Sequence, residues 1–325
     1  MNQWLTILSG VLAVLLIAGV GAFARHRLWL TQEADKSLLS LILRILMPCL
    51  VADTIIGNEA LREPLRVAMP PLLGFGLLVV SFAVVRLFLV AGGKWASLVT
   101  PAQKRTFTLT TGLQNYGYLP VPLTQLLFDK TTMGLLLLHN VGVEIGLWTV
   151  GLAILTGRVG RDWWKGFVNP ITIAIVLSLA ANALNLRACL TAWHADFVFT
   201  TLHTLGVCSF PMALLVVGAT ILDFWPALAP RQGARTMALA CFMRAGALPL
   251  VFIGVACALP CSPELKRVLV IQGAMPAALF PIVMARNFGG DPPAALRAAL
   301  STTLLALVTI PLWITVGFKL AGIAP

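Results

Sequence analysis

Ten long apolar stretches limit what this chain can fold into more than any other feature of its sequence. They cover about residues 5–24, 36–56, 67–90, 104–127, 131–156, 168–186, 197–222, 233–258, 264–287 and 294–320, and a helix needs about 20 apolar residues to cross a bilayer. Because 59% of the chain is hydrophobic and only 11% is charged, little remains for a soluble domain. The sequence therefore predicts an all-α polytopic membrane protein with ten transmembrane helices.

The basic residues predict how the chain is oriented in the bilayer. The first stretch is followed by Arg25 and Arg27 and preceded by no Lys or Arg, which is the reverse of a signal peptide. With the N-terminus outside, Lys and Arg are more frequent in the loops that face the cytoplasm. The net charge of +11 then reflects this asymmetry, and we expect no nucleic-acid partner. We predict that both termini lie outside the cytoplasm.

Prolines interrupt the fourth apolar stretch. Pro120 and Pro122 have no N–H group, so the carbonyls of Tyr116 and Tyr118 lose their helical partners. Lipid offers no other hydrogen bonds, so such a backbone is tolerated at membrane depth only inside protein or beside a watery cavity. The stretch is either a kinked helix or a discontinuous helix that builds a substrate or ion site.

The ninth stretch is interrupted in a similar way, by Pro276 and Pro281. An amide side chain precedes the prolines in both stretches, and we align Asn115 of the fourth with Gln272 of the ninth. Five stretches lie on each side of the basic loop near residue 160, so the two halves insert in opposite orientations. Matching broken helices in inverted repeats indicate a transport site at the middle of the membrane. We predict two inverted five-helix repeats, residues 1–156 and 168–325, joined by a cytoplasmic loop at 157–167.

The interrupted segments also carry a family resemblance. The run 115–123, NYGYLPVPL, resembles the N-x-G-[FN]-L-G-[LI]-P-L signature of bacterial proteins of the auxin efflux carrier family, which are relatives of the plant PIN auxin exporters. The run 274–276 with 289–291 resembles the second signature of that family, and 169–170 resembles the opening of its sixth span. The resemblance covers the whole chain. Two positions depart from the family pattern, because Pro120 replaces a usual Gly and Phe280 replaces a residue that is polar in many members.

The resemblance implies a fold shared in outline with bile acid:sodium symporters. Its broken fourth and ninth helices cross in a transport domain of helices 3–5 and 8–10, which moves against a scaffold of helices 1, 2, 6 and 7. It implies a secondary transporter in the bacterial inner membrane that carries small organic anions by alternating access, such as malonate, malate or an auxin-like acid, with a homodimer through the scaffold helices. Two alternatives stay open: a sensor that binds a ligand without flux, and a sodium-coupled symporter of the bile-acid type.

We expect the substrate site at the two interruptions. Amide groups, freed backbone groups and the partially positive N-termini of half-helices suit a carboxylate there. Arg44 adds a guanidinium that matches a carboxylate in bidentate fashion, whereas we expect Arg244 to be structural. The candidate substrate-binding residues are Gln114, Asn115, Tyr116, Gly117, Pro120, Pro122, Gln272, Met275, Pro276 and Arg44.

Glu144 and His139 are the candidates for proton or ion coupling. Glu144 is a carboxylate well inside an apolar stretch, and three interpretations stay open: an ion pair with Arg44 or Arg244, a proton carrier, or a ligand of a cation. His139 lies about 140° away around the helix. Proton coupling, sodium coupling and no coupling are all compatible with the sequence.

Other residues exclude several classes of protein. No paired Asp, Ser/His or HExxH arrangement indicates an enzyme, and no Cys/His spacing indicates a metal site or cofactor. Cys189, Cys257 and Cys261 fall near the outer face, and the sequence does not decide whether two of them form a disulfide. Glycine spacing predicts close helix packing at two places, at Gly19 with Gly21 and at Gly142 with Gly146.

Overall fold

The computed structural model describes residues 3–92, 97–157, 170–189, 192–224 and 233–323. Within these ranges the chain is helical and forms no strand, apart from one isolated antiparallel bridge between Gln114 and Ala277. Short helices at Glu59–Arg62 and Leu186–Cys189 lie in connections. Of the predicted loop at 157–167, only Gly157 is described. The main helices are α1 (Gln3–His26), α2 (Gln32–Ile55), α3 (Pro64–Gly92), α4a (Pro101–Gly112), α4b (Pro120–Leu127), α5 (Lys130–Thr156), α6 (Pro170–Ala183), α7 (Ala192–Phe224), α8 (Ala234–Ala258), α9a (Pro263–Ala274), α9b (Phe280–Asn287) and α10 (Pro292–Ala321).

Each predicted apolar stretch coincides with one helix or with a pair of helices. In the described part of the chain, six helices are long and apolar enough to cross a membrane, namely α2, α3, α5, α7, α8 and α10. The apolar part of α1 (Leu12–His26) and α6 are shorter. The fourth and ninth stretches each contain two short helices, so the predicted interruptions are confirmed. The number of membrane crossings stays a prediction.

The two halves of the chain start corresponding helices at a constant spacing. Thr100 caps α4a and Ser262 caps α9a, and each hydroxyl accepts from the backbone N–H three residues later. Asp129 and Asp291 cap α5 and α10 in the same way. Each pair of caps is 162 residues apart. These side-chain oxygens satisfy N–H groups that a helix leaves unpaired at its start.

This spacing corrects the alignment of the two interruptions. It pairs Asn115 with Ala277, so the predicted match of Asn115 with Gln272 is wrong. Asn115 lies in the non-helical segment 113–119, whereas Gln272 belongs to the last turn of α9a. An alignment on the prolines gives the wrong register. Pro120 is the first residue of α4b, whereas Pro276 lies in the non-helical segment between α9a and α9b.

Helices α1 and α7 approach each other closely at glycines. A Cβ on Gly218 would lie 1.7 Å from the Ala18 carbonyl oxygen, and one on Gly21 would lie 2.1 Å from the Leu215 carbonyl oxygen. Only glycine permits such an approach of two backbones. The predicted close packing is confirmed for Gly21 but is wrong for Gly19, where a Cβ would meet nothing within 4 Å.

Helices α3 and α5 pack in the same manner. A Cβ on Gly142 would lie 1.8 Å from the Pro71 carbonyl oxygen, and one on Gly74 would lie 2.1 Å from the His139 carbonyl oxygen. A Cβ on Gly146 would lie 2.9 Å from a Leu78 side chain. The packing predicted from the glycine spacing in the fifth stretch is therefore confirmed.

Three helices contain π-helical turns, at Ile42–Leu46 in α2, Leu147–Gly151 in α5 and Met243–Ala247 in α8. In α8, Pro249 cannot donate to the carbonyl of Ala245. The indole Nε1–H of Trp313 in α10 donates to that carbonyl at 2.7 Å. The π-helical turn in α8 is thereby tied to α10, close to Arg244.

The thiols in the described ranges form no disulfide. Cys189, Cys257 and Cys261 are all free, and so are the other three cysteines of the chain. The disulfide that the sequence left open is therefore not formed.

Candidate functional site

The two interruptions contact each other directly through their backbones. The N–H of Asn115 donates to the carbonyl of Pro276 at 2.7 Å, and the N–H of Ala278 donates to the carbonyl of Leu113 at 3.0 Å. All four residues are buried. Buried backbone groups without partners are unfavourable, and here each interruption supplies partners to the other. Predicted site residues from the two halves of the chain therefore meet at one place.

The carbonyl of Tyr116 is the centre of a polar network. Pro120 has no N–H to offer it, and it accepts from Asn140 Nδ2 at 2.8 Å and from Gln272 Nε2 at 3.4 Å. Gln272 Nε2 also donates to Asn140 Oδ1 at 2.8 Å. The prediction that proline frees this carbonyl is confirmed. Sequence reasoning missed Asn140 as a site residue, although an amide in the middle of an apolar stretch is itself a signal.

Asn115 shapes the first interruption. Its side-chain Oδ1 accepts from the N–H of Tyr118 at 3.1 Å and closes a turn around Tyr116 and Gly117. A Cβ on Gly117 would meet no atom within 4 Å, so the backbone here borders open space. The neighbouring Gln114 side chain is fully buried, and neither atom of its amide has a partner among the described residues. Such an amide indicates where a further polar group can bind.

The start of α4b does not offer the N–H donors that the sequence led us to expect. Pro120 and Pro122 have no N–H group. The N–H groups of Val121 and Leu123 already donate to carbonyls of the preceding turn. The first turn of α4b therefore leaves no N–H free for a carboxylate, although the partial positive charge of the helix dipole remains.

Glu144 lies beside this network without a basic partner. The Tyr116 hydroxyl donates to its Oε1 at 2.5 Å, and Trp148 Nε1 donates to its Oε2 at 3.0 Å. The ion pairs found in the described ranges do not include Glu144. Of the three interpretations that the sequence left open, the ion pair with Arg44 or Arg244 is therefore not formed, and the carboxylate is held by neutral donors.

Phe280 supplies an aromatic surface next to Glu144. It begins α9b, and its ring packs edge-on against Trp148 with 5.9 Å between the ring centroids. This ring offers no hydrogen-bonding group to the site.

His139 and Arg44 make no hydrogen bond to the interruptions within the part of the chain that is described. The His139 ring is fully buried and makes no hydrogen bond to Glu144. Arg44 is exposed on the π-helical turn of α2 and forms no ion pair with Glu144 or Asp53. Asp53 pairs with Lys130 instead, at 2.9 Å. The coupling role of His139 and the substrate role of Arg44 stay predictions.

Arg244, expected to be structural, contacts the backbone of the second interruption. Its side chain is 1% exposed, its Nε donates to the carbonyl of Met275 at 2.9 Å, and its Nη2 lies 3.5 Å from the carbonyl of Gln272. Pro276 cannot donate to the Gln272 carbonyl, which accepts instead from the N–H of Met275 at 3.3 Å and faces the guanidinium as a second donor. An arginine inside an apolar stretch was the signal for this role.

An apolar cavity reaches both interruptions. It lies between α1, α4b, α7 and α10, and its wall includes Leu119 of the first interruption and Met275 of the second. Thr303 is its polar lining residue. Its lining is otherwise apolar.

A comparison with protein families decides the class of this protein. The family model described as membrane transport protein matches the chain twice, over residues 6–162 and 158–314. The chain belongs to this family. The resemblance to the auxin efflux carrier family is thereby confirmed, and no match was found among curated proteins.

Membership in this family fits the site. The family consists of membrane transport proteins and not of enzymes. Its two matches meet near residue 160, where the sequence divides into two sets of five apolar stretches. Each match contains one of the interruptions, so the backbone pairing joins the two matched segments.

Proposed function

We propose that this protein is a secondary transporter of small organic anions, such as malonate, malate or an auxin-like acid. The observation that carries the proposal is the direct backbone pairing of two helix interruptions, with Gln272 and Asn140 held around the freed Tyr116 carbonyl. Broken helices of this kind form the substrate sites of transporters built from inverted repeats. The site works by alternating access across the bacterial inner membrane.

We propose that α1, α2, α6 and α7 form a scaffold, and that α3–α5 and α8–α10 form a moving transport domain. The closest backbone contacts support this division, because Gly218 joins two scaffold helices and Gly142 joins two helices of the other group. Between the groups, α1 packs on α10 and α4b, and α2 packs on α5. Sliding is easier between surfaces of side chains than between backbones locked at glycines.

We propose ten crossings with both termini outside, and ion pairs near the helix ends support the relative directions of α1, α2 and α7 in this arrangement. Arg25 of α1 pairs with Asp35 of α2 and with Asp223 of α7, and these ends all fall on the side assigned to the cytoplasm. A second cluster in the described ranges, formed by Asp53, Lys130 and His203, lies on the opposite side. A homodimer through the scaffold stays a prediction.

That second cluster supports a state that is closed towards the outside. Asp53 of α2 accepts from Lys130 of α5 at 2.9 and 3.0 Å, and its other contact is His203 Nδ1 of α7 at 3.0 Å. The pair of Asp53 and Lys130 joins the two helix groups, whereas the ion pairs of Arg25 stay within the scaffold. Alternating access requires this outer contact to open.

Proteoliposome flux tests the proposed function. Purified protein should accumulate at least one of radiolabelled malonate, malate and indole-3-acetate above the level of protein-free liposomes. A sensor that has kept the fold would bind one of these acids without moving it. Binding with no flux in either direction would therefore contradict the proposal.

We propose proton coupling through Glu144, because it lacks a basic partner and is held by Tyr116 and Trp148. In proteoliposomes, Glu144→Gln should abolish the dependence of uptake on an imposed pH gradient, since the amide cannot carry a proton through the membrane. The control is Glu63→Gln, because Glu63 is 66% exposed and pairs only with Arg66 nearby. An unchanged pH dependence in Glu144→Gln would rule out this coupling. Export would then run on the membrane potential, which provides about 2.3 kcal/mol per charge per 100 mV.

Sodium coupling is the second candidate, and one contact argues against it. Carbonyls freed by a helix break are the ligands that sodium uses in such transporters. Here the carbonyls of Gln272 and Met275 face the guanidinium of Arg244. Replacing sodium chloride by choline chloride should leave uptake unchanged. A loss of uptake that sodium alone restores would favour the sodium-coupled function.

A further inference from the structure

Arg244 is a buried cation without a matching anion. Arg25 and Arg244 are the buried Lys or Arg side chains of the described ranges, at 6% and 1% exposure. Arg25 has two carboxylates, Asp35 and Asp223. Among the described residues, Arg244 contacts the carbonyls of Met275 and Gln272, and its Nη1 has no hydrogen-bond partner there. A buried charge is strongly unfavourable unless an opposite charge and hydrogen bonds compensate it.

The position of this cation ties it to the centre of the site. The Met275 carbonyl that it binds precedes Pro276, whose own carbonyl pairs with Asn115 of the first interruption. The Gln272 side chain continues the path, because its Nε2 reaches the Tyr116 carbonyl. Arg244 is therefore linked by hydrogen bonds to both interruptions.

Other buried groups at the interruptions also lack partners. Gln272 Oε1 and both polar atoms of the Gln114 amide are buried and unpaired among the described residues. Buried polar atoms in folded proteins are nearly always hydrogen-bonded, so these atoms are places where water or a polar ligand can bind. Glu144 does not compensate Arg244, since its two oxygens accept from Tyr116 and Trp148.

We propose that Arg244 binds the carboxylate of the transported anion through its free Nη1 group and supplies the charge that selects ionised acids over their neutral analogues. This assignment rests on the proposed function and gives the anion contact to a residue of α8, in place of Arg44 on α2. A guanidinium with one free N–H edge in a water-poor site forms a strong charge-assisted hydrogen bond to a carboxylate. The bound acid then compensates the buried charge.

The test measures binding to purified protein and the discrimination between an acid and its amide. The probes are malonate, malate and indole-3-acetate with malonamide, malamide and indole-3-acetamide, each measured by thermal stabilisation and by competition with the radiolabelled acid. Wild-type protein should prefer at least one acid over its amide. Arg244→Gln should weaken binding of that acid about thirtyfold or more, which corresponds to about 2 kcal/mol. Binding of the amide should change little, so the preference disappears.

Three further variants keep the result interpretable. Arg244→Lys keeps the charge but not the planar fork, so it should retain a reduced preference for the acid; this variant replaces Arg244→Gln if the latter unfolds. Arg86→Gln removes an exposed arginine of α3 and should bind like wild type. Arg44→Gln tests the competing residue. The proposal would be overturned if Arg44→Gln lost the preference for the acid while folded Arg244→Gln kept it. If Arg244→Gln unfolds, an unaltered preference in Arg244→Lys would overturn it in the same way.

The outcomes for binding and for transport are separable. Flux with unchanged acid selectivity in Arg244→Gln would refute the anion site and leave the transport function intact. Arg244-dependent binding without flux in wild type would support the anion site and contradict the transport function.

Discussion

Asn115→Ala should reduce transport at least about tenfold while the protein stays folded. The Asn115 side chain accepts from the N–H of Tyr118 and closes the turn that presents the Tyr116 carbonyl to Asn140. Removing one hydrogen bond of this kind lowers stability by only about 1 kcal/mol. Site geometry is more sensitive than stability, because a shift of about 1 Å in a binding group can cost about a hundredfold in rate. The measurement is the initial rate of uptake per folded transporter in proteoliposomes.

A matched asparagine outside the site serves as the control. Asn58 makes a similar turn between α2 and α3, where its Oδ1 accepts from the N–H of Ala60 at 3.2 Å. Asn58→Ala should lower stability by a comparable amount and leave the transport rate near that of wild type. Full transport by Asn115→Ala would remove the first interruption from the centre of the mechanism. Equal losses in both variants would show that the effect is one of stability.

Gly142→Ala should destabilise the protein by at least about 2 kcal/mol. The added Cβ would lie 1.8 Å from the Pro71 carbonyl oxygen and 2.8 Å from the backbone nitrogen of Phe75. Neither atom belongs to a flexible side chain, so α3 and α5 must move apart. Because α5 carries both Asn140 and Glu144, the separation should also disturb the site. Thermal unfolding of the purified protein and its monodisperse fraction measure the effect.

Gly76→Ala is the control for this prediction, since Gly76 lies on α3 itself and a Cβ there would meet nothing within 4 Å. Alanine also favours a helix by about 1 kcal/mol over glycine. Gly76→Ala should therefore leave the unfolding temperature unchanged or raise it. If Gly142→Ala were as stable as Gly76→Ala, the close packing of α3 on α5 would be wrong.

Local chemistry explains why much of the fold follows from the sequence. The apolar stretches mark the helices because a helix needs about 20 apolar residues to cross the bilayer. Pro120 marks the freed Tyr116 carbonyl because a proline always lacks its N–H. The caps Thr100 and Asp129 were not predicted, although a cap is a local signal that contacts its own chain three residues later. The spacing of Gly142 and Gly146 indicated that a helix packs there, but not which one.

Long-range contacts explain what the sequence left open. The alignment of Asn115 with Gln272 followed the prolines and missed the register, which the helix caps reveal through their constant spacing. Glu144 was weighed as the partner of an arginine, yet Tyr116 and Trp148 hold it. Arg44 and Arg244 look alike in the sequence, as single basic residues within apolar stretches, but one is exposed and the other is buried at the site.

The sequence by itself determined the membrane class, the two interruptions and the carbonyls that proline leaves without a donor. The tertiary structure alone decided which groups satisfy those carbonyls, namely Asn140, the Gln272 side chain and Arg244. The physical reason is the range of the interactions. A missing N–H acts within four residues of the proline, whereas the side chains that reach these carbonyls come from another helix, more than 20 residues away along the chain.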